Sequence, residues 1–340
     1  MTTMRFAFTD DQKMLRDTVR DVLQRECAPE VVRAMWEGRP EAAAAVWATL
    51  AETGVVGMTA SQDVGGMAMS ELDSILTFEE IGYAALPGPL IDTIAVGIPL
   101  LDAAGTDAQK DQWLEAAATG NAKVVVAFED QTIVPHAASA DVLIAERGRV
   151  AHCIPMSEVT AVPERSVDRA RQLAHVSFEG SEAYRMRSDV DGQALLSLAK
   201  ERASLATAAQ LLGLSRRMLD IAVQYAKDRE QFGKPIGAQQ AVKHLLANAL
   251  IQQEFARPMV YRAGWSLATS QTTAQVDVSL AKIYAGEAAT FVAKQALQVH
   301  GAIGYTIECD LHMWMKRAWA LAAARGDSAF HRERVGRHVL

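Results

Sequence analysis

Four long stretches of helix-period apolar residues, at 193–226, 239–270, 274–299 and 311–325, fill the second half of this chain with only short breaks between them. In the first, Leu219, Ala222, Val223 and Ala226 follow the i, i+3, i+4, i+7 spacing of one helical face. The second opens through Val242, Leu245, Leu246 and Leu250. A 30-residue helix spans about 45 Å at 1.5 Å per residue. Four such helices with apolar residues on more than one side predict a bundle that leaves apolar surface over for oligomer contacts. The third stretch is small on one side, through Ala281, Ile283, Ala285, Ala288 and Ala289, which permits close packing. Half of the 340 residues are hydrophobic, many of them Ala and Leu, and only 6% are aromatic, a mix that favours helices over sheets.

The first 120 residues continue that pattern in shorter pieces. Thr9-Asp10-Asp11-Gln12 reads as a capping box, followed by the apolar face Leu15, Val19, Val22 and Leu23 up to Pro29. Further helices are expected at 40–53, 70–83, 94–101 and 107–118, with a turn at Gly65-Gly66 and a stop at Pro87-Gly88-Pro89. Glu79-Glu80 is read as a solvated face with a core-edge contact and no catalytic role. From 121 the period changes. Strands are expected at 124–127, at 142–145 and 150–153 around a hairpin turn at 146–149, and at 176–178. They predict a small, mostly antiparallel sheet ending near Asp189. The expected fold is therefore mainly α with a small central β domain. Residues 1–120 form an N-terminal helical domain, 121–190 a reduced middle β domain, and 191–340 a C-terminal four-helix bundle.

The break between the first two long helices carries the densest chemistry. Gly233, Pro235 and Gly237 interrupt the helix, because Gly admits positive φ and Pro removes a donor. Arg229 supplies a planar cation beside the aromatic Phe232. That pair suits a pyrophosphate next to an aromatic heterocycle. The sequence Arg229-x-Gln231-Phe232-Gly233-x-Pro235-Ile236, ending at Gln240, closely resembles the flavin loop of the acyl-CoA dehydrogenase family, with Gln239 where that family usually has Phe. The resemblance covers nearly the whole length. Phe78-Glu79-Glu80-Ile81-Gly82 and residues 105–120 are similar to phrases of the family's first domain. Gln298-Val299-His300-Gly301-Ala302-Ile303-Gly304 resembles its Gln-x-x-Gly-Gly-x-Gly turn, with Ala302 replacing the middle glycine.

The resemblance implies an FAD enzyme that removes two hydrogens from an acyl-CoA thioester. A carboxylate takes the α-proton and the flavin takes the β-hydride. In the family each flavin lies between two subunits, so two half-sites are expected. The half offered to a neighbour's pyrophosphate and adenosine is present: Arg229, Phe232, Gln240, Gln298, Val299, His300, Gly301 and Ala302. The half kept for the chain's own flavin ring is largely missing. The ring-contacting loop has only Phe128 to Asp141 as counterpart, the next strand pair is absent, and the chain is short to a similar extent. Counting without gaps from Gly304, the family's base falls on Arg325, and arginine cannot accept a proton. Some members carry the base on the first bundle helix, where Glu201-Arg202 looks similar. The count from Arg229 falls instead on Ala203 and Ser204, about 200° around the helix from Glu201. Glu201 is therefore expected to face solvent and stays a minor candidate.

The resulting expectation is the base-lacking subunit of a heterotetramer. A full-length acyl-CoA dehydrogenase subunit would be its partner, electron-transfer flavoprotein the acceptor, and a bulky, steroid-side-chain acyl-CoA a candidate substrate. The alternatives are a self-sufficient homo-oligomer using Glu201, a flavin-free subunit that stabilises its partner, and a flavin monooxygenase on the same scaffold. The net charge of −7 gives no nucleic-acid surface. The cysteines Cys27, Cys153 and Cys309 are far apart, with no CxxC, and read as reduced thiols. The histidines show no metal spacing. No apolar run reaches the ~18 residues of a membrane span and no secretory leader is visible, so a cytoplasmic location is expected.

Overall fold

The computed structural model describes residues 7–129, 131–187 and 190–339. They divide into two compact units. One holds the described residues through Gln24, Ile75–Leu86 and those from Ser204 onward; the other holds Arg25–Ser74 and Pro87–Ala203.

In the second unit, α2 (Pro29–Trp36), α3 (Glu41–Glu52), α5 (Ile98–Ala104) and α6 (Asp107–Ala118) accompany six strands. The sequence reading ends its first helix at Pro29, and that helix stops just before it, at Glu26. Pro29 then opens α2, since a first-turn proline loses no hydrogen bond and brings a helical φ. α6 matches its expected span and carries a reciprocal capping box between Thr106 and Gln109.

The strands are β1 (Val124–Ala127), β2 (Ile133–Pro135), β3 (Val142–Arg147), β4 (Val150–Pro155), β5 (Val159–Pro163) and β6 (Leu173–Phe178). The single sheet expected from the sequence is in fact two three-stranded sheets, ordered β1-β3-β4 and β2-β6-β5. They share one apolar core that includes Val125, Leu143 and Ile154 from the first sheet and Val134, Ala174 and Val176 from the second. The β1–β3 pair is parallel and the other pairs are antiparallel. The β3–β4 hairpin is where the sequence put it, with Gly148 at φ 60° in the first loop position, as a type II′ turn requires.

β1 is an edge strand yet fully buried, so its outer backbone groups need partners. A π-helical segment, Ile91–Gly97, supplies them. The Thr93 hydroxyl donates to Val124 O (2.9 Å) and accepts from Val124 N (3.0 Å), while Asp92 accepts from Val126 N (3.1 Å). Gly97 permits the approach, because a Cβ there would lie 2.5 Å from Val124 Cγ1.

The first unit contains most of α1 (Asp10–Glu26) and of α4 (Glu71–Ala84), α7 (Gly192–Asp228) from Ser204 onward, and α8 (Gln240–Ala268), α9 (Ala274–His300), α10 (Leu311–Ala323) and α11 (Ser328–Val339). The capping box at Thr9 forms as read, with Thr9 N donating to Gln12 Oε1 (2.8 Å) and Gln12 N to Thr9 Oγ1 (3.2 Å). The four long patterns become α7 to α10 within a few residues of their expected ends. The sequence reading omits α11, whose residues are mostly charged or small.

Glu79 and Glu80 correct a second expectation. They are 3% and 2% exposed and form a buried ion network rather than a solvated face. Arg216 bridges both carboxylates at 2.9 Å each, Arg20 reaches Glu80 at 2.8 Å, and the Tyr261 hydroxyl donates to Glu79 at 3.0 Å. Beside it α4 meets α7 backbone to backbone. A Cβ on Gly82 would lie 2.1 Å from Gln210 O, and one on Gly213 only 1.9 Å from Glu79 O.

The turn between α10 and α11 is held from within. Lys282, 2% exposed, donates from Nζ to Ala322 O and Gly326 O, both at 2.9 Å. His331, fully buried, places Nε2 3.1 Å from Arg325 O and Nδ1 3.2 Å from Ser279 Oγ. Burial, then the Lys282 charge, push the His331 imidazole down to about 4, from an ordinary value of 6.5. A folded-state pKa below the unfolded one means that the unfolded chain takes up the proton first. This contribution is present above pH 6.5 and lost as pH falls to about 4, amounting to about 3 kcal/mol. Urea unfolding of the wild type and His331→Gln should show the stability difference between them shrinking by that much between pH 7 and pH 4. A difference constant with pH would mean that His331 binds its proton equally well in the folded and unfolded states.

Candidate functional site

α7 runs for 37 residues and ends where the sequence loses its helical period. Its last turn passes Tyr225, whose carbonyl accepts the Arg229 N–H at 2.9 Å. The chain then makes a two-strand ribbon, β7 (Glu230–Gln231) with β8 (Lys234–Pro235). Phe232 and Gly233 occupy the turn at φ 54° and 75°. A type I′ turn demands positive φ at both central positions, which Gly supplies without strain and Phe does not. The strained residue is also the most exposed large apolar side chain among the described residues, at 93%. Arg229 O accepts from Ile236 N (2.8 Å), and a Cβ on Gly237 would lie 2.9 Å from Ala226 O. The loop is thus folded back onto the end of α7 and delivers Gln240 as the first residue of α8.

The second element is the C-terminal end of α9. Gln298 and Ala302 are exposed, whereas Val299 and His300 are buried. Gly301 has φ 62° and ψ −138°, a combination essentially restricted to glycine, and nothing lies within 4 Å of the place a Cβ would take. Its backbone stands open to an approaching group.

One contact joins the two elements. The Tyr225 and His300 rings are stacked with centroids 4.3 Å apart and planes 19° from parallel. The His300 Nδ1–H donates to Ala296 O at 2.7 Å, and burial holds its pKa below the ordinary value, so the ring is neutral near pH 7. This stack brings Arg229, four residues beyond Tyr225, to the same end of the bundle as Gly301. The sequence reading missed Tyr225; its one local signal was a position a single helical turn before Arg229.

The end so formed offers a guanidinium, the side chains of Gln240 and Gln298, an open glycine backbone and an exposed aromatic ring. These fit a phosphate-bearing nucleotide with a flat ring. The remaining sequence candidates are not among the residues that this contact gathers. Glu201 belongs to the other unit and is 5% exposed, contrary to its expected solvent-facing position. α7 is buried on every side from Ala203 to Ser215, so turning away from one face of it does not lead to water. Arg325 sits in the α10–α11 turn at φ 58°, with its carbonyl held by His331.

At the start of the loop that begins at Phe128, a backbone donor is already engaged. Glu129 N donates to Glu146 Oε2 (3.0 Å), and Glu146, with a side chain 1% exposed, is paired with Lys200 at 2.8 Å. A loop meant to hydrogen-bond a heterocycle keeps such donors for it; here an internal carboxylate takes the Glu129 donor. Among the described residues no His, Cys, Asp or Glu cluster is arranged to hold a metal ion, and no helix is long and apolar enough to cross a membrane.

Comparison with known proteins gives the family. Residues 9–121 match the N-terminal domain of acyl-CoA dehydrogenase and residues 192–340 match its C-terminal domain. The acyl-CoA dehydrogenase IpdE2 of Mycolicibacterium smegmatis is 32% identical over 319 residues, covering 94% of this chain and 95% of the relative. Among solved structures, the ChsE4–ChsE5 complex from Mycobacterium tuberculosis superposes with a TM-score of 0.87 at 22% identity, over 99% of both chains. A variant of the Tcur3481–Tcur3483 steroid ACAD does so at 0.85 and 22%, over 97% of this chain and 98% of that one. These two share the fold. With both family domains matched and a relative this similar along nearly its whole length, the chain belongs to the acyl-CoA dehydrogenase family.

Proposed function

We propose that this chain is the base-lacking subunit of a heteromeric, FAD-dependent acyl-CoA dehydrogenase and grips the pyrophosphate and adenosine end of a flavin whose ring lies in a partner subunit. The observation that carries this reading is the Tyr225–His300 stack. It gathers both nucleotide-type motifs at one end of the bundle, where Arg229, Phe232, Gln240, Gln298 and Ala302 are exposed. Arg229 would neutralise the pyrophosphate through paired, charge-assisted hydrogen bonds. Gln240 and Gln298 would donate to its remaining oxygens or to the adenine edge. Gly301 and Ala302 would let the backbone come close, and Val299 with His300 would hold that turn from below. Phe232 would cover an apolar face of the cofactor. When bound, the flavin supplies the hydride acceptor; this chain's part is to hold and orient it and to exclude water from its phosphate end.

The three spans 1–120, 121–190 and 191–340 are proposed as its domains, and the matched family domains flank the middle one. Two structural neighbours come from paired assemblies, the ChsE4–ChsE5 complex and Tcur3481–Tcur3483, which supports a heteromeric partner. The second is described as a steroid enzyme, which supports a bulky acyl-CoA as substrate. Electron-transfer flavoprotein is the proposed acceptor.

Flavin absorbance of the chain alone and of the chain co-purified with the subunit encoded beside it tests the reading. Colour is expected only in the complex. There, Arg229→Ala should weaken FAD binding by about 30-fold or more, from the loss of ~2–3 kcal/mol of charged hydrogen bonding. Full flavin retention in that variant would sink the proposal.

A second reading is favoured by one observation, the burial of Glu201 at 5% exposure, where a base would be shielded from water. In that case the chain alone binds FAD and oxidises acyl-CoA, and Glu201→Gln abolishes turnover while leaving the flavin in place.

A further inference from the structure

We propose that Tyr225 and His300 form a positioning pair: their stacked rings set the distance between the two nucleotide-binding loops, so that cofactor affinity depends on side chains that do not themselves touch the cofactor. This deepens the half-site reading above and rests on it. Each loop is short and solvent-facing, and each hangs from one member of the pair. Arg229 is tied to Tyr225 by its N–H bond to the Tyr225 carbonyl, and Gly301 is the residue after His300. A shift at the stack is passed to the guanidinium through one helical turn and to the open glycine through one peptide bond.

The surroundings leave the pair little freedom. His300 is 6% exposed, and its Nδ1–H is engaged with Ala296 O at 2.7 Å. A Cβ on Gly304 would come within 2.9 Å of Leu297 Cδ1 and 3.0 Å of His300 Cβ, so the turn closes tightly around the imidazole. On the other side the loop is folded onto the end of α7 at Ala226 and Ile236. The neutral ring adds no charge beneath the phosphate site, so the effect is geometric rather than electrostatic. Stacked rings in contact hold the segments that carry them in a fixed relation, which a bidentate guanidinium contact needs if it is to stay aligned.

The test is FAD affinity of the co-purified complex, followed by flavin fluorescence. Tyr225→Leu should weaken binding at least 10-fold, and Tyr225→Phe, which keeps the ring, should stay within twofold of wild type. If Tyr225 acts through Arg229, the double variant Tyr225→Leu/Arg229→Ala binds no more weakly than Arg229→Ala alone, whereas independent contributions would multiply. His300→Leu gives the same reading from the other ring should Tyr225→Leu fail to fold. Multiplying losses, or Tyr225→Phe as damaging as Tyr225→Leu, would overturn the proposal. If Arg229→Ala releases the flavin while Tyr225→Leu and His300→Leu do not, the positioning role fails and the half-site stands. If Arg229→Ala retains the flavin, the half-site itself fails.

Discussion

Replacing Arg216 by methionine is expected to destabilise the chain by about 3–5 kcal/mol, the loss typical of stranding a buried charge. Arg216 is the only described residue that bridges both Glu79 and Glu80, at 2.9 Å to each. Without it, two adjacent carboxylates at 3% and 2% exposure are left with Tyr261 on Glu79 and Arg20 on Glu80. Methionine retains the packing of the long stem, so the loss reports charge rather than volume. Urea unfolding at pH 7 measures it. Adding Glu79→Gln and Glu80→Gln to the same variant should recover most of the loss, because neutral amides in that place need no cation. A loss below about 1 kcal/mol would be that of a solvated surface pair and would mean that water reaches the network.

Gly213→Ala should lower stability by about 3 kcal/mol, at the upper end of what overpacking produces. Helix propensity alone points the other way, since alanine in place of glycine stabilises a helix interior by about 1 kcal/mol. The geometry decides between them. The new Cβ would lie 1.9 Å from Glu79 O and 2.5 Å from Tyr83 N. Both obstacles are backbone, so no side-chain rotation relieves them and α4 must move away from α7. The thermal midpoint should fall by roughly 4 °C. An unchanged midpoint would mean that the helices separate freely at this crossing. Because Gly213 lies one turn from Arg216, the two substitutions are expected to be non-additive: once α4 has moved, the Arg216 bridge is already strained.

The loop at 229–237 was legible because its information is local. Gly233 and Pro235 break the helix through their own backbone chemistry, and the structure shows the break there, with Gly233 at φ 75°; the positive φ of Phe232 was not written in its residue type. The long helices were legible for the same reason, as was the capping box at Thr9. The misreadings share the opposite cause. Glu79, Glu80 and Glu201 read as surface residues, because a carboxylate is cheapest in water and the sequence does not reveal a partner arginine 136 positions away. The sheet read as one layer, because strand period fixes which residues face the core but not which strands pair, and the parallel β1–β3 register is set between segments 18 residues apart.

By itself, then, the sequence determined the helical bundle, the breaks in it and the turn that carries Arg229 and Gly233, since all of these follow from period, propensity and turn chemistry over a few residues. Only the tertiary structure decided that Tyr225 would meet His300, that Gly82 and Gly213 would let two backbones touch, and which acids would be buried against which arginines. Those depend on burial shared between distant segments, and the free energy of burying a charge or closing a glycine crossing belongs to neither partner until both are in place.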